Sequence, residues 1–283
     1  MTYQLIDVRA EGPIRWITID APPANVMTGQ LFAELLALSE ALGADEQAVV
    51  AVFRSANAEI FIAHFDVSLI LRFPRDGTPA DVQLPPEHNA FHVMCERFRT
   101  MPVVTIAEIA GRVGGGGAEL AAAMDMRFGA QDATVLCQME VPLGIIPGGG
   151  GTQRIPWLVG RGRAMEIVLA GDDIDAATLD QWGWLNRALP GGELRGHVER
   201  LARRLASLPV DAVRMAKAAV LAADADMTPG LLREQQLFQQ SLRTPGAAPA
   251  MQAFLDAGGQ TRAGELALQQ TLAAGAAGSL SPR

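Results

Sequence analysis

Cysteine is nearly absent: Cys95 and Cys137 are the only two in 283 residues, with no CxxC spacing between them. That excludes a disulfide framework and fits buried free thiols in a reducing compartment. Positive charge is also short, 23 Lys and Arg against 31 Asp and Glu for a net charge of -8, which argues against a nucleic-acid partner because neutralising a phosphate backbone needs a basic face. The four histidines, His64, His88, His92 and His197, form no HxxxH pattern with a carboxylate between. His88 and His92, four apart, are read onto an exposed helix, and no metal site is expected. No run approaches the ~18 uncharged apolar residues of a membrane span. The opening Met1-Thr-Tyr-Gln-Leu-Ile-Asp7 has neither the basic flank nor the apolar stretch of a signal peptide. A cytoplasmic protein with no membrane association is expected.

What remains, 49% apolar and 19% charged residues, suits a soluble globular chain with a substantial core, long enough for one large domain or one domain with an appendage. Residues 3–9 and 14–20 read as strands joined at Glu11-Gly12-Pro13, and Thr28 as the cap of a helix with one broad apolar face. The wholly apolar runs 48–53 and 103–109 read as buried strands, with shorter ones at 126–130 and 134–138. Helices are expected over 87–101, from Ala118, around 157–170 and over 176–182. Pro74 to Pro86 is polar and Pro-rich and reads as a surface loop that could serve as a lid. Beyond Pro190 only helices are expected, over 195–208, 210–223, 229–242 and 250–257. Strands alternating with helices, followed by helices alone, indicate an α/β core with a helical tail. The tail's apolar Met215, Leu221, Leu231, Leu232 and Leu237 are expected to pack on a neighbouring subunit.

One stretch raises a chemical question. Val113-Gly-Gly-Gly-Gly-Ala-Glu-Leu120 places four glycines between a strand and a helix, with a carboxylate in the first helical turn. Glycine costs roughly 0.5–1 kcal/mol against alanine inside regular structure, so such a run must supply something side chains would obstruct, such as bare N–H groups facing a ligand. A Walker loop would need a Lys where Ala118-Glu119 stands. A Rossmann fingerprint would follow the first strand rather than a hundred residues of structure. Glu119 would also repel a phosphate. An acceptor that becomes charged only during reaction, a carbonyl oxygen turning into an enolate, is compatible.

Four segments carry a resemblance. Phe61-Ile-Ala-His-Phe-Asp66, Gly111-Arg-Val-Gly-Gly-Gly-Gly-Ala-Glu-Leu120, Gln138-Met-Glu140 and Gly144-Ile-Ile-Pro-Gly-Gly-Gly-Gly-Thr-Gln-Arg154 resemble, in order and spacing, the signature segments of the crotonase, or enoyl-CoA hydratase/isomerase, superfamily. The resemblance runs from about Asp20 to Pro190. It implies an α/β fold, a crotonase-type spiral of ββα units over 1–195, with a C-terminal helical region, 196–283, used in trimerisation, as a trimer or a dimer of trimers. It further implies an oxyanion hole from the amides of Phe65 and Gly116, catalysis by Glu119 and Glu140, and substrate contacts at Asn25, Val26, Ala63, His64, Asp66 and Gly115. The implied reaction is hydration of an enoyl-CoA to a 3-hydroxyacyl-CoA, coenzyme A entering as part of the substrate and with no metal or redox cofactor. Isomerisation, dehalogenation, thioester hydrolysis and non-catalytic acyl-CoA binding are the alternatives on the same fold, and the presence of both glutamates favours hydration. Three features depart from the family pattern. His64 stands where glycine is usual, either filling space beside the thioester or lining an acyl pocket. Met139 replaces a proline, and Arg243-Thr-Pro-Gly-Ala-Ala248 lacks the acidic and Glu-Gly steps usual near the C-terminus. The second glycine loop, 148–151, reads as a close-packed structural turn.

Overall fold

The computed structural model describes residues 3–224 and 226–279; Met1, Thr2 and Ala225, and residues 280–283 of the expected helical region, lie outside the described residues. Among the described residues ten strands form two sheets. In chain order they begin with β1 (Ile6–Glu11), β2 (Ile14–Ile19), β3 (Val50–Ser55), the short β4 (Ile60–Ile62), β5 (Val104–Ile109), β6 (Arg112–Gly114) and β7 (Met126–Ala130). β8 (Val135–Cys137), β9 (Ile174–Asp175) and β10 (Arg187–Leu189) follow. The large sheet runs β1-β2-β3-β5-β7-β10 and the small one β4-β6-β8-β9. β1 and β2 form an antiparallel hairpin whose Gly12 takes φ +56°, the sign a two-residue II′ turn needs at its first central position. From β2 onward the large sheet is parallel.

The two sheets alternate along the chain. Each of β3, β5 and β7 lies in the large sheet, and the strand after it, β4, β6 or β8, in the small one, so the chain winds between them as repeated ββα units. The expected spiral is therefore the observed fold. Side chains of the large sheet divide with period two between two cores. Val50, Val52, Val104 and Ile106 point to one side, where Leu194, Val198 and Ala202 of the helix Gly191–Ala206 cover them. Ala51, Phe53, Ala107 and Ile109 point to the other. Burial on both faces is why these strands read as unbroken apolar runs.

The inner face packs on α1 (Gly29–Gly43), capped by the Thr28 hydroxyl as expected, then, past the short α2 (Val67–Ile70), on α3 (Ala90–Thr100) and α4 (Gly115–Ala123). α5 (Gly151–Val159), α6 (Arg161–Ala170) and α7 (Ala176–Trp182) complete the core. α8 (Gly191–Ala206) spans the expected boundary at residue 195 and lies against the large sheet. Beyond it come α9 (Val210–Leu221), α10 (Thr228–Leu242), α11 (Ala247–Asp256), α12 (Arg262–Leu266) and α13 (Leu268–Ser279), with no strand among the described residues. α10, α11 and α13 close over residues 67–70 and 137–145 through Leu242, Met251, Phe254 and Leu272. Leu231 is buried within the chain, whereas Met215 and Leu237 are exposed. No helix among the described residues is long and apolar enough to cross a membrane.

Two glycines in helices separate crowding from propensity. An added Cβ on Gly117 would lie 2.5 Å from the Ile62 carbonyl oxygen, while one on Gly43 would meet nothing within 4 Å. Gly117→Ala is expected to destabilise by about 2 kcal/mol or more despite alanine's better helix propensity, and Gly43→Ala to stabilise by about 0.5–1 kcal/mol. Chemical denaturation of both variants checks this, and equal or same-signed changes would contradict the crowding.

Candidate active site

The site begins where β4 runs into Ala63-His64-Phe65-Asp66. Phe65 makes an isolated parallel bridge with Met27, through Met27 N–H donating to the His64 carbonyl and Asp66 N–H to that of Met27. The amide of Phe65 takes no part in this bridge. The four-glycine turn presses against the same segment. Added Cβ atoms would lie 2.5 Å from Ala63 O at Gly114, 2.8 Å from His64 Cβ at Gly115, 3.3 Å from Phe65 N at Gly116 and 2.5 Å from Ile62 O at Gly117. The helix expected from Ala118 starts three residues earlier, so Gly115 to Gly117 form its first turn, where amides have no intrahelical acceptor. The glycines thus serve first to bring a helix N-terminus against an extended strand end. The close approach brings Gly116 against Phe65, an added Cβ on the glycine lying 3.3 Å from Phe65 N, at the positive end of α4.

Both lie on a cavity of about 370 Å³ that Glu119 and Glu140 also border. Glu119, in α4, is buried, and its Oε1 accepts the amides of Gly149 and Gly151, each at 2.8 Å. Glu140 follows β8, is also buried, and its Oε2 has no partner. Burial raises the pKa of both. Glu119 lies well above the usual carboxylate range, pushed further by the charges of Glu140 and Glu234 and only partly restrained by its two amides. Glu140 is raised to about 7, restrained by a backbone hydrogen bond and by His64. Near neutral pH this pair holds a proton rather than two full charges.

The second glycine loop does more than turn. Its amides alternate: Gly149 and Gly151 donate to Glu119, while Gly150 and Thr152 donate to Glu234 of α10 at 2.6 and 2.9 Å. Two carboxylates dock on one helix N-terminus, that of α5, a ready anion site. Arg154 holds the loop from below, donating to the Gly149 carbonyl at 2.9 Å and to Glu96 at 2.7 Å. Glu234 also takes a hydrogen bond at 3.1 Å from His92 Nε2. The expectation of an exposed helical face for His88 and His92 fails at His92, which is fully buried on the inner side of α3. Glu234 was missed by sequence reasoning, since nothing in Arg233-Glu-Gln-Gln236 marks one acid of an amphipathic helix as buried.

The rest of the cavity wall is largely aromatic and aliphatic, with Asn89, Gln235 and Gln239 as its other polar side chains. Phe32 and Phe91 stack with ring centroids 5.8 Å apart, Phe65 meets both edge-on, and Phe73 faces Phe238. The Pro-rich segment expected as a lid lies beside this wall; Gln236 and Arg243 donate to the carbonyls of Val82 and Asp76, tying it to α10.

The remaining residues expected at the site stand behind it. Asn25, Val26, Ala63, His64, Asp66 and Gly115 do not border the cavity. Asn25 accepts the Ala21 amide at 2.8 Å and donates to Ser55 Oγ at 2.6 Å, ordering the turn before α1. Val26 and Ala63 pack with Ala24 and Ile60. Asp66 caps α2 by accepting the Ser68 amide at 2.9 Å. Gly115 fits between His64 and Glu140. His64 is buried, bonded through Nδ1 to the Phe65 carbonyl at 2.8 Å and through Nε2 to Glu265 of α12 at 2.9 Å. Among the described residues no three His, Cys, Asp or Glu side chains cluster as metal ligands.

Comparisons with known proteins point to one family. The family model "Enoyl-CoA hydratase/isomerase" matches residues 9–260. A Rhizobium meliloti protein named "Probable enoyl-CoA hydratase" is 33% identical over 261 residues, covering 90% of this chain and 96% of its own. A Mycobacterium tuberculosis protein, "Probable enoyl-CoA hydratase echA8", is 30% identical over 259 residues with the same coverage of 90% and 96%. A crystal structure from Streptomyces avermitilis, of a protein carrying the enoyl-CoA hydratase name, superposes with a TM-score of 0.89 at 38% identity, covering 98% of this chain and all of that one. With the four signature segments converging on one cavity, the chain belongs to the enoyl-CoA hydratase/isomerase, or crotonase, family.

Proposed function

We propose that the protein is an enoyl-CoA hydratase, adding water reversibly across the 2,3-double bond of an acyl-CoA thioester. The observation that carries this reading is the pair of buried glutamates, Glu119 and Glu140, on the same cavity as Phe65 and Gly116. The thioester carbonyl would accept both amides. As a water oxygen bonds to C3, its proton passes to the ionised carboxylate of the pair and electron density moves onto the thioester oxygen, giving an enolate held by two preorganised donors. The protonated carboxyl then delivers a proton to C2 as the enolate collapses. One water is consumed, C3 gains the hydroxyl and C2 the hydrogen. The glutamates exchange a proton before the next turnover. The reaction is redox-neutral, and coenzyme A enters only as the thioester's carrier. The apolar Phe32, Phe91 and Phe238 side chains would take the acyl group and exclude water from the enolate. Two buried free cysteines suit a reducing, cytoplasmic setting.

We further propose a trimer or a dimer of trimers. Met215 and Val220 on α9, Trp157 on α5, and Met165 and Leu169 on α6 are all exposed, large apolar side chains that an assembly would cover. A stable monomer in sedimentation at micromolar concentration would overturn the assembly.

Loss of conjugated-thioester absorbance with crotonyl-CoA and longer enoyl-CoAs tests the reaction directly. Glu119→Gln and Glu140→Gln should each lower kcat by about 1,000-fold or more with KM changed only several-fold, and the double variant should be little worse, since the pair acts as a unit. With Glu140 raised to about 7 and Glu119 held well above the usual carboxylate range, acid protonates both and removes the base, so kcat/KM should fall about tenfold per unit well below pH 7. Near-wild-type turnover in either variant would sink the assignment. Gly116→Val inserts a Cβ 3.3 Å from Phe65 N and 3.2 Å from Phe65 Cβ, forcing the two donors apart. Turnover should drop by about 100-fold or more while the cooperative unfolding transition survives. An active Gly116→Val enzyme would mean that this glycine serves packing alone.

A further inference from the structure

His64 stands where the family pattern has glycine, and it is neither solvated nor on the cavity. Its ring is wedged between two acceptors: the Phe65 carbonyl at 2.8 Å from Nδ1 and Glu265 Oε1 at 2.9 Å from Nε2, with both side chains only 3% exposed. Glu265 Oε1 also accepts the Gln260 amide at 2.7 Å. A ring facing an acceptor at each nitrogen must bring a proton to each, so the geometry calls for an imidazolium beside a carboxylate. The turn between α11 and α12 adds a second grip on the same segment, since Gln260 Nε2 donates to Asp66 Oδ1 at 2.8 Å. On its other side His64 backs onto Gly115, whose added Cβ would lie 2.8 Å from His64 Cβ and 3.0 Å from Glu140 Oε1.

We propose that His64, held as an imidazolium by Glu265, is a positioning residue for the reaction: it fixes the strand end that presents the Phe65 amide and sets one positive charge behind Glu140. The charged groups around it are few. Glu265 of α12 and Glu140 after β8 face the ring, and the Phe254 ring of α11 meets it edge-on at 5.7 Å without charge. Behind Glu265 lies Arg112 of β6, paired with Asp173, and Cys137 beside them is kept neutral by burial. Glu234 acts on Glu140 in the opposite sense, raising the cost of its charge, and the charges of Glu140 and Glu119 repel. His64 is therefore the cation that acts on Glu140 against them. Its own pKa is raised by Glu265 despite burial, and that of Glu265 is lowered by His64. The sign follows: without the imidazolium, Glu140 holds its proton to higher pH.

Two arms test this. In the wild-type chain with labelled histidine, the His64 ring, assigned by its absence in His64→Asn, should show both nitrogens protonated at pH 7.5; a neutral ring there would overturn the proposal. His64→Asn keeps a donor for the Phe65 carbonyl but no charge. It should lower kcat at pH 7 by about tenfold, change KM by less than about threefold, and move the kcat/KM limb near pH 7 upward by about one unit. Glu265→Gln, which keeps an acceptor for His64 but drops the countercharge, should move the same limb in the same direction, and decides the matter if His64→Asn does not fold. An unmoved limb in a folded variant would reduce the pair to a structural staple. The kinetic arm rests on the hydratase reading and the spectroscopic arm does not: a doubly protonated ring in an enzyme without hydration activity would overturn that reading alone.

Discussion

The close approach of the α4 glycine turn to the strand end at residues 62–65 is the contact on which the rest depends. Four successive Cα atoms with no side chain let a helix N-terminus meet extended backbone at distances where a single methyl would collide with a carbonyl oxygen. Two consequences follow from this one contact. One residue from each partner, Phe65 and Gly116, borders the same cavity, and α4 carries Glu119 to that cavity one turn later. Gly116 and Glu119, the proposed donor and carboxylate, are therefore placed by the same helix, which ties their separation to helix geometry rather than to loop conformation.

Burying three glutamates around one small space is electrostatically unfavourable, and the fold answers with backbone dipoles. The N-terminus of α5 supplies four amides in alternation, two to Glu119 and two to Glu234. Glycine at 149 and 151 is needed because an added Cβ would meet a Glu119 oxygen, at 2.6 and 3.0 Å. Hydrogen bonds to fixed amides stabilise a carboxylate without a mobile countercharge, so a proton can be held and released near neutral pH. Glu140 has no such amides from the loop; its unpartnered Oε2 and raised pKa mark it as the more labile member of the pair.

The helical C-terminal third belongs to the site as much as to any assembly. Glu234 of α10 holds the loop that holds Glu119, and Glu265 of α12 holds the histidine behind Glu140. Each buried His–Glu contact joins segments far apart in the chain, by 142 residues for His92 and Glu234 and 201 for His64 and Glu265. The C-terminal helices thereby lock the geometry of motifs laid down in the first half of the chain.

Those separations explain what was legible in the sequence. The long apolar strands, the Thr28-capped helix, the four signature segments and the two candidate glutamates could be read locally, because period, capping and glycine spacing are local properties. The short β4, β6, β9 and β10, of two or three residues, gave no period to read. The sequence also determined that helix would follow glycine, though not that the helix would start within the glycines, since glycine's poor propensity is overridden by a packing contact between Gly117 and Ile62, far apart in the chain. Which histidine is buried, which acid of α10 or α12 faces inward, and that a loop read as a turn is the cradle of a catalytic candidate were decided by tertiary structure alone. A buried polar side chain is defined by its partner, and these partners meet only once the chain has closed on itself.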